Sequence, residues 1–132
     1  MNGIIAEAGS YRRHGVRIVG SNVPTANYLK IPDLIPELVR QINAKMEIFD
    51  KLALIHAKFE QIHPFADGNG RVGRLLMTAM LLQDNLAPAI ILQQQKRLYY
   101  TYLSKAQMNQ EFSQLQQFVI QAVADGFKIL KR

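Results

Sequence analysis

The chain has 132 residues, of which 48% are apolar and 20% are charged, so it is not a disordered tail, a collagen-like fibre or a disulfide-rich miniprotein. It has no cysteine and no apolar run long enough to span a bilayer, which excludes disulfides, thiolate chemistry and a transmembrane helix. Its net charge of +6 favours an anionic partner such as nucleic acid, an acidic membrane or nucleotide phosphates. The alternative is a solvated surface with surplus positive charge.

The first ten residues lack the basic and long apolar segments of a signal peptide. Without an export signal, we expect the protein in the cytoplasm. From the length of the chain, we expect one domain, residues 1–132. Part of the positive charge is clustered near the start of the chain, at Arg12, Arg13 and Arg17.

The first predicted element is a β-hairpin, or an extended flap, over residues 11–20. Gly15 lies beside three β-branched residues there, a pattern typical of a short pair of strands. The next residues, 21–32, contain two prolines and two asparagines and predict a loop. The β-branched residues are Val16, Ile18 and Val19.

From residue 33 onward, apolar residues recur with the period of an α-helix. The first helix is expected to be capped by Asp33. The helix at about 71–84 is apolar nearly all round, so we expect it to be the central one. The fold class is mainly α, with one β excursion at the N-terminus. The other helices are predicted from 50 to 62, 95 to 107 and 111 to 131.

The segment HPFADGNGRVGR, residues 63–74, combines residue types that phosphate-transfer sites use. Its glycines let backbone N–H groups turn toward an anion, and the start of the following helix adds partial positive charge. Arg71 and Arg74 lie three apart and can bind phosphate oxygens in a forked geometry. Asp67 is a candidate Mg²⁺ ligand, and His63 is a candidate acid or base because it titrates near neutral pH.

Each of these features also has a purely structural interpretation. A histidine before proline is usually a packed loop residue, and Gly-Asn-Gly or Asp-Gly usually forms a turn. Two arginines three apart usually lie on a solvated helix face, and Phe65 is expected to anchor the loop in the core. The functional interpretation is favoured because one short segment meets every requirement at once.

This segment resembles the signature of the Fic family, His-x-Phe-x-Asp/Glu-Gly-Asn-Gly-Arg-x-x-Arg, and matches it at every specified position. Residues 9–25 resemble the family's flap hairpin and the loop after it. Tyr99 and Tyr100 resemble part of its adenosine-side helix. The resemblance covers roughly residues 9–125 and implies the Fic fold, a helical bundle core (residues 33–131) with an N-terminal β-hairpin flap.

The family resemblance implies a protein adenylyltransferase, which moves AMP from ATP to a Ser, Thr or Tyr hydroxyl of a target protein. His63 would be the general base, and Asp67 would coordinate Mg²⁺ bound to ATP. Arginines of the motif would neutralise the β- and γ-phosphates, and the glycine-rich backbone and the Asn69 side chain would hold the α-phosphate. The phosphate-binding residues would be Gly68, Asn69, Gly70, Arg71 and Arg74.

The resemblance further implies that the flap docks the target protein by strand pairing, a mode that tolerates many sequences. It also implies that Tyr99, Tyr100 and Gln107 lie near the adenosine. For the tyrosines, packing in the core is an equal alternative. The docking residues would be Val16, Arg17, Ile18 and Val19.

Two matters stay open at this level: the nucleotide donor and its regulation. Gly70 leaves room for the β-phosphate where a kinase variant of the family has lysine, so transfer of AMP is favoured. Other members transfer other nucleotides or phosphocholine. No Ser or Thr is followed four residues later by Glu, so the family's inhibitory motif is missing. A separate antitoxin chain, or a helix outside a truncated fragment, would then supply the inhibition.

Two other classes of function compete with this hypothesis. One is a non-catalytic nucleotide-binding or interaction module that keeps the Fic core. The other is a nucleic-acid-binding domain, which only the net charge suggests. A homodimer also remains open, since apolar stripes do not separate a core from a dimer face.

Overall fold

The structure is a computed structural model that describes residues 9–18 and 21–130. Within these residues there are five α-helices and two 3₁₀ turns, at Tyr28–Lys30 and Gln93–Gln95, and no strand. None of the described helices is both long and apolar enough to cross a membrane. The predicted mainly α class is confirmed. The helices are α1 (Ile31–Ile42), α2 (Ile48–Ile62), α3 (Asn69–Gln83), α4 (Lys96–Asn109) and α5 (Ser113–Leu130).

The first two helices begin about two residues earlier than their periodicity predicts. Before α1, the side chain of Asn27 accepts a hydrogen bond from Leu29 N–H and starts a 3₁₀ turn that continues into the helix. Asp33 therefore lies in the first turn of α1 and does not cap it. At α2, the carboxylate of Glu47 accepts from Asp50 N–H at 2.8 Å, so the residue predicted to start the helix is already inside it.

The central helix is α2, and the prediction that the 71–84 helix is central is wrong. Helix α2 contacts α1, α3, α4 and α5, and eight of its fifteen residues are buried. Helix α3 buries only one face and leaves Leu75 and Leu82 69% and 56% exposed. Its apolar composition misled the prediction, whereas α2 is central although it carries the buried polar residues His56 and Glu60.

The N-terminal segment folds against the C-terminal end of α2. Ala26 N–H donates to the Gln61 carbonyl at 3.1 Å, and Arg12 N–H donates to the Pro64 carbonyl at 2.8 Å. Within the segment, the Thr25 hydroxyl donates to the Val16 carbonyl at 2.9 Å. The chain therefore folds back on itself beside the 63–74 loop.

The predicted flap hairpin is not confirmed by this segment. Val16, Arg17 and Ile18 are described and are not in a strand, while Val19 lies outside the described residues. Ser21 N–H donates to the Ile18 carbonyl at 3.1 Å, so these two residues lie close together. Strand pairing in the flap stays a prediction.

Candidate active site

The loop between α2 and α3 starts at His63, whose backbone lies in the left-handed region with φ 50° and ψ 60°. Its N–H still donates to the Phe59 carbonyl at 3.0 Å, so His63 closes α2 as its last hydrogen-bonded residue. Pro64 has no N–H and disfavours helical backbone at the residue before it. The helix therefore ends at His63, and the imidazole is half-buried at the start of the loop.

The side chain of Asn69 holds the loop closed. Its Oδ1 accepts from Phe65 N–H at 2.9 Å, and its Nδ2 donates to the Phe65 carbonyl at 2.8 Å. The residue is 3% exposed, and its amide is used at both ends. The family resemblance assigned this side chain to the α-phosphate. Its contact with Phe65 was not predicted, because a single side-chain contact across four residues leaves no periodic signal.

The first turn of α3 presents unpaired backbone donors to the loop. Gly68 precedes the helix with φ 81°, a conformation that glycine adopts without steric cost. No side chain caps this helix start, and its first turn contains no acidic residue. Its N–H groups and the positive end of the helix dipole thus favour an anion here.

Arg74 folds back over the same turn. A Cβ added at Gly70 would lie 3.2 Å from Nη1 of Arg74, so the guanidinium lies directly against the glycine backbone. Arg71 and Arg74 are both exposed. The structure thus places at least one of the two predicted phosphate-binding cations beside the backbone donors.

The pKa of His63 is lowered chiefly by burial, and the positive charge of Arg12 lowers it further. The main-chain carbonyl of Glu60 acts in the opposite direction and favours the protonated ring. The buried Nδ1 has no partner at hydrogen-bond distance. The net effect keeps the imidazole neutral at neutral pH, the state that a proton acceptor requires.

Arg12, which the sequence placed only in a cluster of positive charge, is buried beside the candidate site. It is only 2% exposed, and its guanidinium donates to two main-chain carbonyls at the start of the loop and to two of the N-terminal segment. No spacing in the sequence separates this buried arginine from the exposed Arg13 beside it.

A buried polar cluster lies between α3 and α2, around Gly73 and Glu60. A Cβ added at Gly73 would lie 2.1 Å from Oε1 of Glu60, so this glycine gives the carboxyl its space. Burial raises the pKa of Glu60 to about 7, against the opposing charge of Arg74. Burial also lowers the pKa of His56 to about 4, and Nε2 of this histidine lies 2.5 Å from the Tyr99 hydroxyl.

The proposed adenosine neighbours do not share one environment. Tyr99 is 5% exposed and packs in the core against His56 and Phe118. Gln107 is buried, and its amide donates to the Ala57 carbonyl at 3.0 Å. Tyr100 is 49% exposed, and its ring centroid lies 5.0 Å from that of Tyr99. Of the tyrosine pair, only Tyr100 offers a ring face of substantial area to a ligand.

Asp67 is exposed at the edge of the loop, between the histidine and the anion site. No group of three His, Asp or Glu side chains suited to a metal ion occurs among the described residues. One carboxylate nevertheless fits Mg²⁺, which typically takes one or two carboxylates and completes its shell with phosphate oxygens and water.

Together, the fold and the loop define a helical domain with an uncapped helix start and a neutral histidine at opposite ends of one short loop. The family model described as the Fic/DOC family matches residues 1–81. The chain belongs to the Fic/DOC family.

Relatives with assigned names agree with this placement. The protein adenylyltransferase Fic of Drosophila ananassae is 38% identical over 104 residues, which cover 76% of this chain and 20% of that protein. The protein of the same name from Aedes aegypti is also 38% identical over 104 residues, with the same coverage. This chain therefore spans about a fifth of the length of these relatives.

Solved structures give the same fold. A Fic family protein from Desulfovibrio desulfuricans superimposes with a TM-score of 0.82 at 29% identity, covering 98% of this chain and 43% of that one. Fic-1 from C. elegans superimposes with a TM-score of 0.79 at 22% identity, covering 96% of this chain and 38% of that one. The Fic fold predicted from the motif is thus confirmed for the helical core.

Proposed function

We propose that this domain transfers AMP from ATP to a hydroxyl group of a target protein. The observation that carries the proposal is the position of His63, a neutral histidine at one end of a loop whose other end is an uncapped helix start with two arginines. This arrangement supplies a proton acceptor and a polyphosphate site a few residues apart. The name protein adenylyltransferase, carried by relatives 38% identical to this chain, supports the same activity.

His63 acts as the general base in this mechanism. The oxygen of a Ser, Thr or Tyr hydroxyl on the target attacks the α-phosphorus of ATP, and its proton passes to the imidazole. The bond from the α-phosphorus to the bridging oxygen breaks, and pyrophosphate leaves with that electron pair. A positioned base contributes about 10²–10⁴ in rate, and the lowered pKa keeps the imidazole available to accept the proton.

The first turn of α3 binds the triphosphate. Backbone N–H groups at Gly68, Asn69 and Gly70 stabilise negative charge on the α-phosphate, and the Asn69 side chain keeps them in place through Phe65. Arg71 and Arg74 neutralise the β- and γ-phosphates.

Asp67 is the residue that would hold Mg²⁺ together with phosphate oxygens. When bound, the ion would offset charge on the phosphates and on the departing pyrophosphate. The exposed carboxylate at the loop edge fits this role because it leaves most of the coordination shell to ATP and water.

The segment around Val16, Arg17, Ile18 and Val19 docks the target protein through backbone hydrogen bonds. Its position beside the 63–74 loop supports this role, because the Arg12 and Ala26 N–H groups anchor it to Pro64 and Gln61.

On the nucleotide side, Tyr100 is the tyrosine whose exposed ring can meet the adenine, while Tyr99 supports it from the core.

The proposal is tested with two radiolabelled forms of ATP. The purified chain is incubated with Mg²⁺ and cell lysate, and labelled proteins are detected after α-labelled or γ-labelled ATP. Because kinases in the lysate also use γ-labelled ATP, label is counted only in excess of a parallel reaction with His63→Ala. Transfer of AMP predicts such an excess from the α form only, and an excess from the γ form only would instead indicate phosphate transfer. No excess from either form, together with intact ATP binding by calorimetry, would indicate a nucleotide-binding module.

The same assay tests the phosphate site with a matched pair of variants. Arg74→Ala should weaken ATP binding and reduce labelling. Arg97→Ala, which removes an exposed arginine on α4, should leave both unchanged. Equal losses in the two variants would argue against a specific role for Arg74.

A further inference from the structure

One buried arginine connects the catalytic histidine with the segment that precedes α1. Nε of Arg12 donates to the His63 carbonyl at 2.7 Å, and Nη2 donates to the Ile62 carbonyl at 3.1 Å. The same guanidinium donates to the His14 carbonyl at 2.8 Å and to the Ala26 carbonyl at 2.5 Å. Two of its acceptors thus belong to the end of α2, and two lie on either side of the docking segment.

We propose that Arg12 is a positioning residue of the transfer reaction, which fixes the backbone of His63 and joins it to both ends of the target-docking segment. This inference rests on the proposed function, because it gives His63 the role of base. It assigns Arg12 no contact with substrate.

The end of α2 requires a donor of this kind. The last carbonyls of a helix have no partner within it, and Pro64 has no N–H to offer. His63 is held at φ 50°, which is uncommon for a residue with a side chain. Arg12 satisfies the carbonyls of both Ile62 and His63 and so stabilises the backbone geometry from which the imidazole projects.

Arginine suits this position better than lysine. Its planar guanidinium carries five N–H donors in a fixed geometry, whereas the lysine ammonium carries three that rotate about one atom. Here three nitrogens of one side chain meet four carbonyls that lie in different directions. Arg12→Lys therefore keeps the charge and loses most of the directed hydrogen bonds.

The charge of Arg12 has a separate effect on the protonation of His63. It lowers the pKa of the imidazole, in addition to burial. The main-chain carbonyl of Glu60 on α2 also acts on this ring and raises its pKa. Helix α3 carries Arg71 and Arg74, whose charges are not among the causes of the shift. Arg12→Met should therefore raise the pKa of His63, and Arg12→Lys should change it much less.

The phosphate site is held by different contacts. Asn69 and Phe65 close the loop, and Gly68 starts α3, without a hydrogen bond from the Arg12 side chain. Changes at Arg12 should thus reduce the rate of transfer and spare nucleotide binding. A general loss of structure would reduce both.

The experiment compares Arg12→Lys and Arg12→Met with Arg97→Lys, a matched change at an exposed arginine. Three quantities are measured: the apparent kcat for transfer from α-labelled ATP to lysate protein, the calorimetric Kd for α,β-methylene ATP with Mg²⁺, and the pH titration of the His63 ring by NMR. We expect kcat to fall about 10–100-fold in both Arg12 variants, Kd to stay within about twofold, and the ring titration to move upward in Arg12→Met.

The proposal is overturned if folded Arg12→Met keeps kcat within about twofold, or if Kd weakens as much as kcat falls. If neither variant folds, the wild-type chain still tests it. The Arg12 Nε–H should then exchange slowly with solvent by NMR, and fast exchange would contradict the proposed hydrogen bonds. If the wild-type chain transfers no AMP, the proposed function fails, whereas the titration of His63 still tests the influence of Arg12.

Discussion

At the scale of single residues, the site depends on side chains that hydrogen-bond the backbone of the loop. Asn69 is fixed to both the N–H and the carbonyl of Phe65, and Arg12 is fixed to the carbonyls of Ile62 and His63. A family signature records which residues occur in the loop. It does not record that one of them points back into the loop and holds its shape.

Asn69→Asp keeps one of the two hydrogen bonds to Phe65 and removes the other. Aspartate can accept from Phe65 N–H but cannot donate to the Phe65 carbonyl, and it adds negative charge at the anion site. We expect about 1–3 kcal/mol lower stability by denaturant unfolding. Nucleotide affinity, measured by calorimetry under conditions where the variant is folded, should fall as well, because the added charge opposes the phosphates.

Asn109→Ala at the exposed end of α4 serves as the control for general effects of changing an asparagine. It should change neither stability nor affinity beyond about 0.5 kcal/mol. Unchanged nucleotide affinity in Asn69→Asp would contradict the proposed anion site.

At the scale of elements, α3 has two glycines with different neighbours. A methyl group at Gly70 would meet the guanidinium of Arg74 at 3.2 Å. A methyl group at Gly73 would lie 2.1 Å from the Glu60 carboxyl and 3.1 Å from the Phe59 ring. The first neighbour is an exposed, flexible side chain, and the other two are buried in the contact between α2 and α3.

The same substitution should therefore have opposite consequences at these two positions. Gly73→Ala should destabilise the domain by about 1–3 kcal/mol, because α2 and α3 must separate or the carboxyl must move. Gly70→Ala should leave the thermal midpoint near that of wild type and reduce affinity for ATP, because it displaces Arg74. Thermal unfolding and calorimetry on both variants check this pair, and a destabilised Gly70→Ala with normal affinity would refute it.

The sequence predicted the number and approximate limits of the helices, because apolar residues recur with the helical period. It failed on which helix is central, since Glu60 and His56 make α2 look half-polar although both are buried. Burial of such residues depends on partners from other elements, such as the Tyr99 hydroxyl and the space above Gly73. These partners cannot be inferred from spacing along one chain.

Most residues of the candidate site could be proposed from the sequence, because they are adjacent along the chain, and their roles stay predictions. His63, Asp67 and the glycines came from one segment, and the resemblance supplied their proposed roles. Arg12 was missed because it reaches this segment from 51 residues away. Tyr99 was ambiguous for the same kind of reason, since only the fold separates a core tyrosine from one that faces a ligand.

At the scale of the whole molecule, two buried groups give opposite pH dependences of stability. Glu60 has a pKa of about 7, raised by burial from an ordinary value of 4.5. Between these values the folded chain keeps a proton that the unfolded chain releases, so the free energy of unfolding falls as pH rises. His56 has a pKa of about 4, lowered by burial from 6.5. Between these values the unfolded chain binds a proton that the folded chain does not, so the contribution of His56 to the free energy of unfolding rises with pH.

The two contributions overlap and largely cancel between about pH 4.5 and 6.5. Glu60→Gln removes one of them. We expect the free energy of unfolding of this variant to rise more steeply with pH than that of wild type, by about 1 kcal/mol per pH unit on average across this range. Urea unfolding of both proteins at several pH values measures the difference between their free energies of unfolding. Groups that both proteins share, such as His63, contribute equally to the two and cancel in this difference. Parallel curves for the two proteins would show that Glu60 is not held protonated in the fold.

The most direct test of the account is the initial rate at which His63→Ala transfers AMP from α-labelled ATP to protein, relative to wild type. The imidazole is proposed to accept the proton of the attacking hydroxyl, so the rate should fall by about 10²–10⁴. Binding of α,β-methylene ATP should persist, because the phosphate contacts belong to α3. Transfer by His63→Ala at the wild-type rate would contradict the central claim.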